Sequence, residues 1–273
     1  MRVTFYGTRG SVPVSESGYL EVGGNTACVL VTFDTGRILI LDAGTGIRRL
    51  GNDLAETASG QDNICILLSH THWDHIHGFP FFQPAYDPDQ RLTICICGRG
   101  RNTVTLETIM GVQMESDFYP VPLDQLGAEI SFWEPDITHY TAKSGVRIIA
   151  SPHNHPGGAF SYRIEEKDKT LVYCTDAEHG ERIDPRLVAL SSRVDLLIHD
   201  AQFTPKELKQ RKGWGHSSWE EAAKVAQQAQ VKRLALFHHD PEHEDSLLHQ
   251  IEREAQDRFA GAFLAKDGME VRL

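Results

Sequence analysis

The sequence predicts an α+β fold in which helices cover sheets of buried strands, and three observations carry that reading. Short β-branched and aliphatic runs of four to six residues recur along the 273-residue chain, in ILILD, CILLSH, LVYCTD, DLLIHD and LALFHH. Runs that are continuously apolar, rather than alternating, belong to strands buried on both faces. Stretches with helical periodicity and cap signals fill the gaps between them. Each run also ends in an acid or an imidazole, at Asp42, His70, Asp176, Asp200 and His239, so polar groups should collect at one edge of a sheet.

Taken in chain order, RVTFYG, ACVLVTF and RILILD make the N-terminal third mostly strand. FPFFQPAYDPDQ and SDFYPVPLDQ are proline-rich and lack clean periodicity, which predicts loops or lids near the site. Asp184 and Pro185 begin a short helix, with the aspartate as cap and the proline in the first turn. Ser217 to Glu221 opens another helix through Gln230, in which Ser218 and Glu221 have capping-box spacing. Leu247, Leu248, Ile251, Ala255 and Phe259 form the apolar stripe of a last helix. No low-complexity linker divides residues 1–273, which are expected to form one domain.

Composition narrows the function classes. Hydrophobic residues make up 40% and charged residues 24%, and no apolar run approaches the ~18 residues of a bilayer span. MRVTFYGTRG lacks the apolar core and cleavage site of a secretory signal, so a cytoplasmic location without membrane attachment is expected. Five cysteines, Cys28, Cys65, Cys95, Cys97 and Cys174, are mostly inside apolar runs and read as reduced, packed thiols. A net charge of −11 makes long nucleic acid a poor default partner unless a local basic patch intervenes.

The stretch SHTHWDHIHG, Ser69 to Gly78, concentrates four histidines and an aspartate just beyond a strand. His70 and His72 can point the same way, and Asp74 and His75 on the next turn present a second donor pair. Imidazole nitrogen and carboxylate oxygen suit zinc and its neighbours in the first transition row. Two ions need more ligands than this cluster holds. Similarly placed donors occur in HNHPGG, with His153 and His155, in CTDAEH, with Asp176, and in LFHHD, with His238 and His239. An aspartate can bridge two ions through its two oxygens.

These motifs together, LDAGTG, HTHWDH, NHPGGAFSY, TDAEH and LFHHD, resemble the metallo-β-lactamase superfamily across almost the whole chain. The resemblance implies a four-layer αββα sandwich and two divalent metal ions, zinc first, with manganese or iron as alternatives. It implies that His70, His72 and His155 hold one ion, that Asp74, His75 and His238 hold the other, that Asp176 bridges them and that Asp42 orients a ligand from behind. His155 is chosen over His153 because Tyr162 follows seven residues later, as in the phosphodiesterase branch. His77 and His179 match no ligand position; His179 is a candidate substrate contact.

LLIHDAQF and GHSSWEEA look like two further motifs of the ribonuclease Z-like phosphodiesterase branch, with Asp200 for the usual glutamate and Ser218 for the usual threonine. By resemblance Asp200 orients His216, which protonates the leaving oxygen, and Asp74 belongs to the catalytic set. Phe79, Phe82 and Tyr86 could offer a face to a base, or simply pack together. His155 and Asp176 stand only 21 positions apart, which leaves no room for the long RNA-gripping arm of some relatives. The expected substrate is therefore a small phosphodiester, a cyclic nucleotide or cyclic phosphate, hydrolysed through a water activated between the two ions, and a homodimer is implied by the resemblance. The alternatives are a ribonuclease Z-like RNA 3′-processing endonuclease, a glyoxalase II-like thioester hydrolase and a non-catalytic nucleotide sensor.

Overall fold

The computed structural model describes residues 1–56, 63–97 and 104–273. Two seven-stranded sheets form its centre. The first contains β1 (Arg2–Gly7), β2 (Cys28–Thr32), β3 (Ile38–Leu41), β4 (Ile64–Leu67), β5 (Arg91–Cys95) and β6 (Glu129–Trp133) side by side in chain order, with β14 (Glu270–Arg272) outside β1. The second contains β7 (His139–Thr141), β8 (Arg147–His153), β9 (Ala159–Glu166), β10 (Lys169–Cys174), β11 (Leu196–Asp200), β12 (Leu234–Phe237) and β13 (Ala262–Leu264), again in order. Pairing is antiparallel from β1 to β3 and parallel from β3 to β6. The second sheet repeats this scheme: antiparallel from β7 to β10, then parallel to β13.

The uninterrupted apolar runs are explained by two different covers. On β11, Leu196 and Ile198 face a core shared between the sheets, while Leu197 faces the helices; on β12, Phe237 and Leu236 divide in the same way. On β3, Leu39 and Leu41 join the shared core and Ile40 turns outward. One face of each sheet therefore packs on the other sheet and the opposite face on helices, which is the four-layer αββα arrangement. The first outer layer holds α1 (Ile47–Glu56) and α3 (Leu106–Val112), and the second holds α4 (Pro185–Leu190), α6 (Trp219–Ala229) and α7 (Asp245–Arg258), with the short α5 (Pro205–Leu208) between β11 and α6 in the chain. No helix among the described residues is long and apolar enough to cross a membrane.

The helix starts follow the sequence signals. Asp184 accepts the Arg186 N–H ahead of α4, and Ser218 with Glu221 forms a reciprocal capping box at α6. Leu248, Ile251 and Ala255 form the buried face of α7. All five cysteines are free thiols, four of them buried.

The proline-rich segment after the histidine cluster departs from the expectation of a lid. Phe79, Phe82 and Ala85 are fully buried against α1 in the first outer layer. Tyr86 and Tyr119 both donate to the Pro80 carbonyl, at 2.5 and 2.9 Å, so the second proline-rich segment is pinned to the first. Without a regular pattern in the sequence, the burial of these aromatics becomes visible only when the apolar face of α1 is placed beneath them.

Candidate metal centre

The parallel strands of both sheets send their C-terminal ends to one edge, and the acids and imidazoles that end the apolar runs meet there. Short α2 (Trp73–Ile76) begins immediately after His72, so one helical turn brings Asp74 and His75 beside His70. Asp42, Asp176 and His238 follow β3, β10 and β12, and all three have positive φ, 60°, 54° and 61°. That left-handed backbone is uncommon outside glycine and costs about 1–3 kcal/mol where nothing supports it. Here it turns each chain off its strand and aims the side chain into the pit.

Among the donor groups of the described residues, His70, His72 and His155 make one and Asp74, His75, Asp176 and His238 another, with the atoms of each within 4.8 Å of one another. Asp176 belongs to both by geometry. Its Oδ1 lies 3.7 Å from His70 Nε2 and 3.9 Å from His155 Nε2, while its Oδ2 lies 3.1 Å from His75 Nε2 and 3.3 Å from His238 Nε2. Asp74 Oδ2 is 3.3 Å from His75 Nε2 and 3.1 Å from His238 Nε2. Atoms bound ~2.1 Å from one ion at tetrahedral angles stand ~3.4 Å apart, the spacing seen here.

The imidazoles are oriented from behind. His75 donates Nδ1–H to Asp42 Oδ2 at 2.8 Å, His155 donates to the Gly215 carbonyl at 2.9 Å, and His238 donates to Gln202 Oε1 at 3.0 Å. His70 Nδ1–H meets Ser69 Oγ at 3.0 Å, and that hydroxyl in turn donates to Asp42 at 2.8 Å. Each of the four rings therefore turns Nε2 toward the pit, and His72 contributes Nδ1, 3.0 Å from His155 Nε2. Ligating histidines are held by such acceptors because they fix tautomer and ring angle. His70 Nε2 is buried with no hydrogen-bond partner among the described residues.

The pit calls for positive charge. Burial and the neighbouring His75 hold His70 well below its usual pKa, so it offers a free lone pair. Burial opposes a charge on His75 as well, yet Asp176, Asp74 and Asp42 keep it well above 6.5. Burial would likewise raise Asp176, but His238, His75 and His70 hold it well below the carboxylate range. Packed lone pairs and carboxylates of this kind suit divalent metal ions.

Geometry separates the paired candidates. His153 spends both ring nitrogens, on the Asp176 carbonyl (3.0 Å) and Ser161 Oγ (2.9 Å), and His239 faces the Ala265 carbonyl (3.0 Å). His155 and His238 are the members of each pair that reach the pit. His77 bonds back to the Trp73 carbonyl within α2. His179 is buried and stacked on His199 with ring centroids 5.3 Å apart. Phe79 and Phe82, considered above as faces for a base, have no exposed surface. The packing alternative describes them.

His216 borders the pit. Its Nδ1 donates to Asp200 Oδ2 at 2.8 Å, and its ring stacks on His238 with centroids 5.1 Å apart. Burial lowers the His216 pKa, but Asp200, then Asp176 and Asp74, push it up to about 9. Asp200 is itself fixed by the N–H groups of Gln202 and Ser217, at 3.1 and 3.0 Å. His216 lies close enough to share donor groups with His155 and Asp176. Its engagement by Asp200 sets it apart from the rings that donate to neutral carbonyls.

Sequence reading missed several supporting residues. Asp42 collects Ser69 N–H (2.6 Å), Ser69 Oγ, His75 and Tyr173 OH (2.7 Å). Ser11 N–H donates to Asp74 Oδ2 at 2.7 Å. Buried Arg9 positions that loop by donating to the carbonyls of Gly23 (2.8 Å), Asp240 (3.2 Å) and His243 (2.7 Å). Ser69 adjoins the histidine motif and so had a signal; Tyr173 and Gln202 had none, being one aromatic in an apolar strand and one amide in a loop.

Two helix-faced mixed sheets with a histidine and aspartate pit at their strand ends define a metal-dependent hydrolase of the metallo-β-lactamase fold. The profile of the beta-lactamase superfamily domain matches residues 37–239, and the chain belongs to that family. A Ribonuclease Z of Haloarcula marismortui is 26% identical over 321 aligned residues, covering 100% of this chain and 97% of the relative. The crystal structure of human tRNase Z, short form, superposes with a TM-score of 0.69 at 21% identity, over 100% of this chain and 99% of that one. A diphosphatase from the PhnP family gives 0.68 at 18%, over 100% and 97%. The two structural likenesses establish the fold.

Proposed function

We propose that the protein is a dinuclear metal phosphodiesterase acting on a small phosphodiester, with a cyclic nucleotide or cyclic phosphate as the leading substrate. The observation that carries this reading is the set of four imidazoles whose Nδ1 atoms are all engaged behind and whose Nε2 atoms all lie 3.1–3.9 Å from the two oxygens of Asp176. His70, His72 and His155 would hold one divalent ion, Asp74, His75 and His238 the other, and Asp176 both; the donor set favours zinc. Two such ions, held there, would lower the pKa of a water and offset charge on phosphoryl oxygens.

The protein's own groups supply the rest. Asp42, Gln202 and the Gly215 carbonyl keep three ligand rings in the tautomer that leaves Nε2 free. Ser11 N–H fixes the Asp74 carboxylate at the edge of the pit, where it orients the attacking water. Asp200 accepts a hydrogen bond from His216 Nδ1–H and favours the charged ring, which leaves Nε2–H to hand to the departing oxygen. An alkoxide needs that proton and a thiolate leaves with little help, so the Asp200 and His216 pair favours a phosphodiester over a thioester.

A second reading, RNA 3′-processing, is favoured by the full-length similarity to the Haloarcula Ribonuclease Z. Against it stand the −11 charge and an alignment of 321 positions against 273 residues here, so that relative carries segments this chain lacks. Chromatography of cyclic AMP and cyclic GMP incubated with metal-replete protein should reveal nucleoside monophosphate. Tight binding without turnover of any diester would instead identify a sensor. His216→Ala should keep its metal and lose at least ~100-fold in kcat on a diester with an alkyl leaving group, but less than ~10-fold on a nitrophenyl ester. Equal losses on both would refute proton donation.

A further inference from the structure

Phe79 and Phe82 are buried, whereas two exposed indoles adjoin site residues in the chain. Trp214 is 61% exposed and Trp73 is 81% exposed. Trp73 opens α2 between His72 and Asp74, and Trp214 lies two residues before His216, so each indole is next to residues of the metal centre in the chain. Water-exposed indoles beside a reaction site are informative because large apolar rings otherwise seek burial.

Trp214 is held outward by a built loop. Gly213 and Gly215 flank it, both with positive φ (85° and 91°), and their N–H groups donate to the two oxygens of Glu178 at 2.8 and 2.9 Å. A Cβ on Gly215 would lie 2.2 Å from His155 Nδ1, so the loop also seats directly on a ligand ring. Arg211 bonds Asp240 at 2.7 Å and lies over the rings of both Phe203 and Trp214, its guanidinium carbon 4.9 and 5.7 Å from their centres, so a base would stack on the opposite indole face. Preorganisation of this kind lowers the entropy lost when a ligand docks.

The same segment is a basic patch on an acidic protein. Lys206, Lys209 and Lys212 are exposed and form no ion pair among the described residues, although the chain carries a net −11. Unpaired lysines draw an anion toward this loop, and an indole face stacks on any base. A simple alkyl diester would use neither feature.

We propose that the loop from Lys206 to Trp214 is a nucleotide subsite, with Trp214 under the base and the three lysines attracting the anion, so that the favoured substrate is a nucleoside-bearing diester. The inference rests on the phosphodiesterase reading and names its substrate class. The test compares thymidine 5′-(p-nitrophenyl phosphate) with ethyl p-nitrophenyl phosphate, which share the scissile bond and leaving group and differ in the retained substituent. Wild type should favour the nucleoside ester in kcat/KM by at least about tenfold (~1.4 kcal/mol). Trp214→Ala should bring that ratio to near one, and Trp214→Phe should restore part of it. Replacement of the three lysines by glutamine should flatten the salt dependence of kcat/KM. Metal content and thermal melting of each variant check that it is folded. A wild-type ratio near one, or a Trp214→Ala protein that folds, binds metal and keeps the preference, overturns the subsite and leaves the phosphodiesterase reading standing. Hydrolysis of neither ester overturns both.

Discussion

Asp42→Asn tests whether the pit depends on a carboxylate that touches no substrate. Asp42 is completely buried, and its Oδ2 accepts from Ser69 Oγ, His75 Nδ1 and Tyr173 OH while its Oδ1 accepts the Ser69 N–H. Asparagine tolerates the φ of 60° found here, so the change leaves the backbone unstrained. It places an NH2 against at least one donor in either amide orientation. The milder choice sets the NH2 against Ser69 N–H and leaves one buried donor unmatched, which costs about 1–3 kcal/mol.

His75 also loses the charge that fixes its tautomer, and loss of such a partner behind a ligand weakens metal binding by about 10–100-fold. Urea unfolding of the metal-free variant should show the first effect, and competition with a chromophoric chelator should show the second. Two ions bound with wild-type affinity would refute the reasoning, because the orientation of His75 would then not require Asp42.

Other perturbations separate further parts of the structure. A Cβ on Gly10 would stand 2.4 Å from both Cε1 and Nδ1 of His238, so Gly10→Ala should displace that ring, reduce bound metal toward one ion per chain and cut turnover by about 100-fold or more. Two ions at a wild-type rate, read by elemental analysis and a diester assay, would contradict this. Asp267 is raised by burial to about 6 from an ordinary 3.8, although Asn25 and Arg9 oppose the shift. Its protonated form favours folding, and that contribution is present below about pH 3.8 and is lost as pH rises through about 6. Asp267→Asn lacks the titration, so from pH 4 to pH 7 its stability relative to wild type should improve by ~1–3 kcal/mol, the lower end reflecting residual hydration of the side chain. A difference independent of pH, measured by urea unfolding at each pH, would exclude Asp267 as the titrating group.

Local chemistry was legible without coordinates. HTHWDH places its donors within one turn of chain, Ser218 and Glu221 cap a helix three residues apart, and the apolar runs declare double-sided burial; each depends on neighbours close in sequence. Tertiary structure decided what depends on the meeting of distant strands. His153 and His155 are both imidazoles beside β8, and His238 and His239 are adjacent, yet only the surrounding carbonyls and carboxylates determine which ring keeps a lone pair for the pit. The left-handed turns at Asp42, Asp176 and His238, the four donors that converge on Asp42, and the fate of Phe79 and Phe82 beneath α1 arise from packing between segments far apart in the chain. Composition and spacing specify which atoms can bind, while direction and burial belong to the assembled sheets, because a hydrogen bond or a buried face exists only once its partner has arrived.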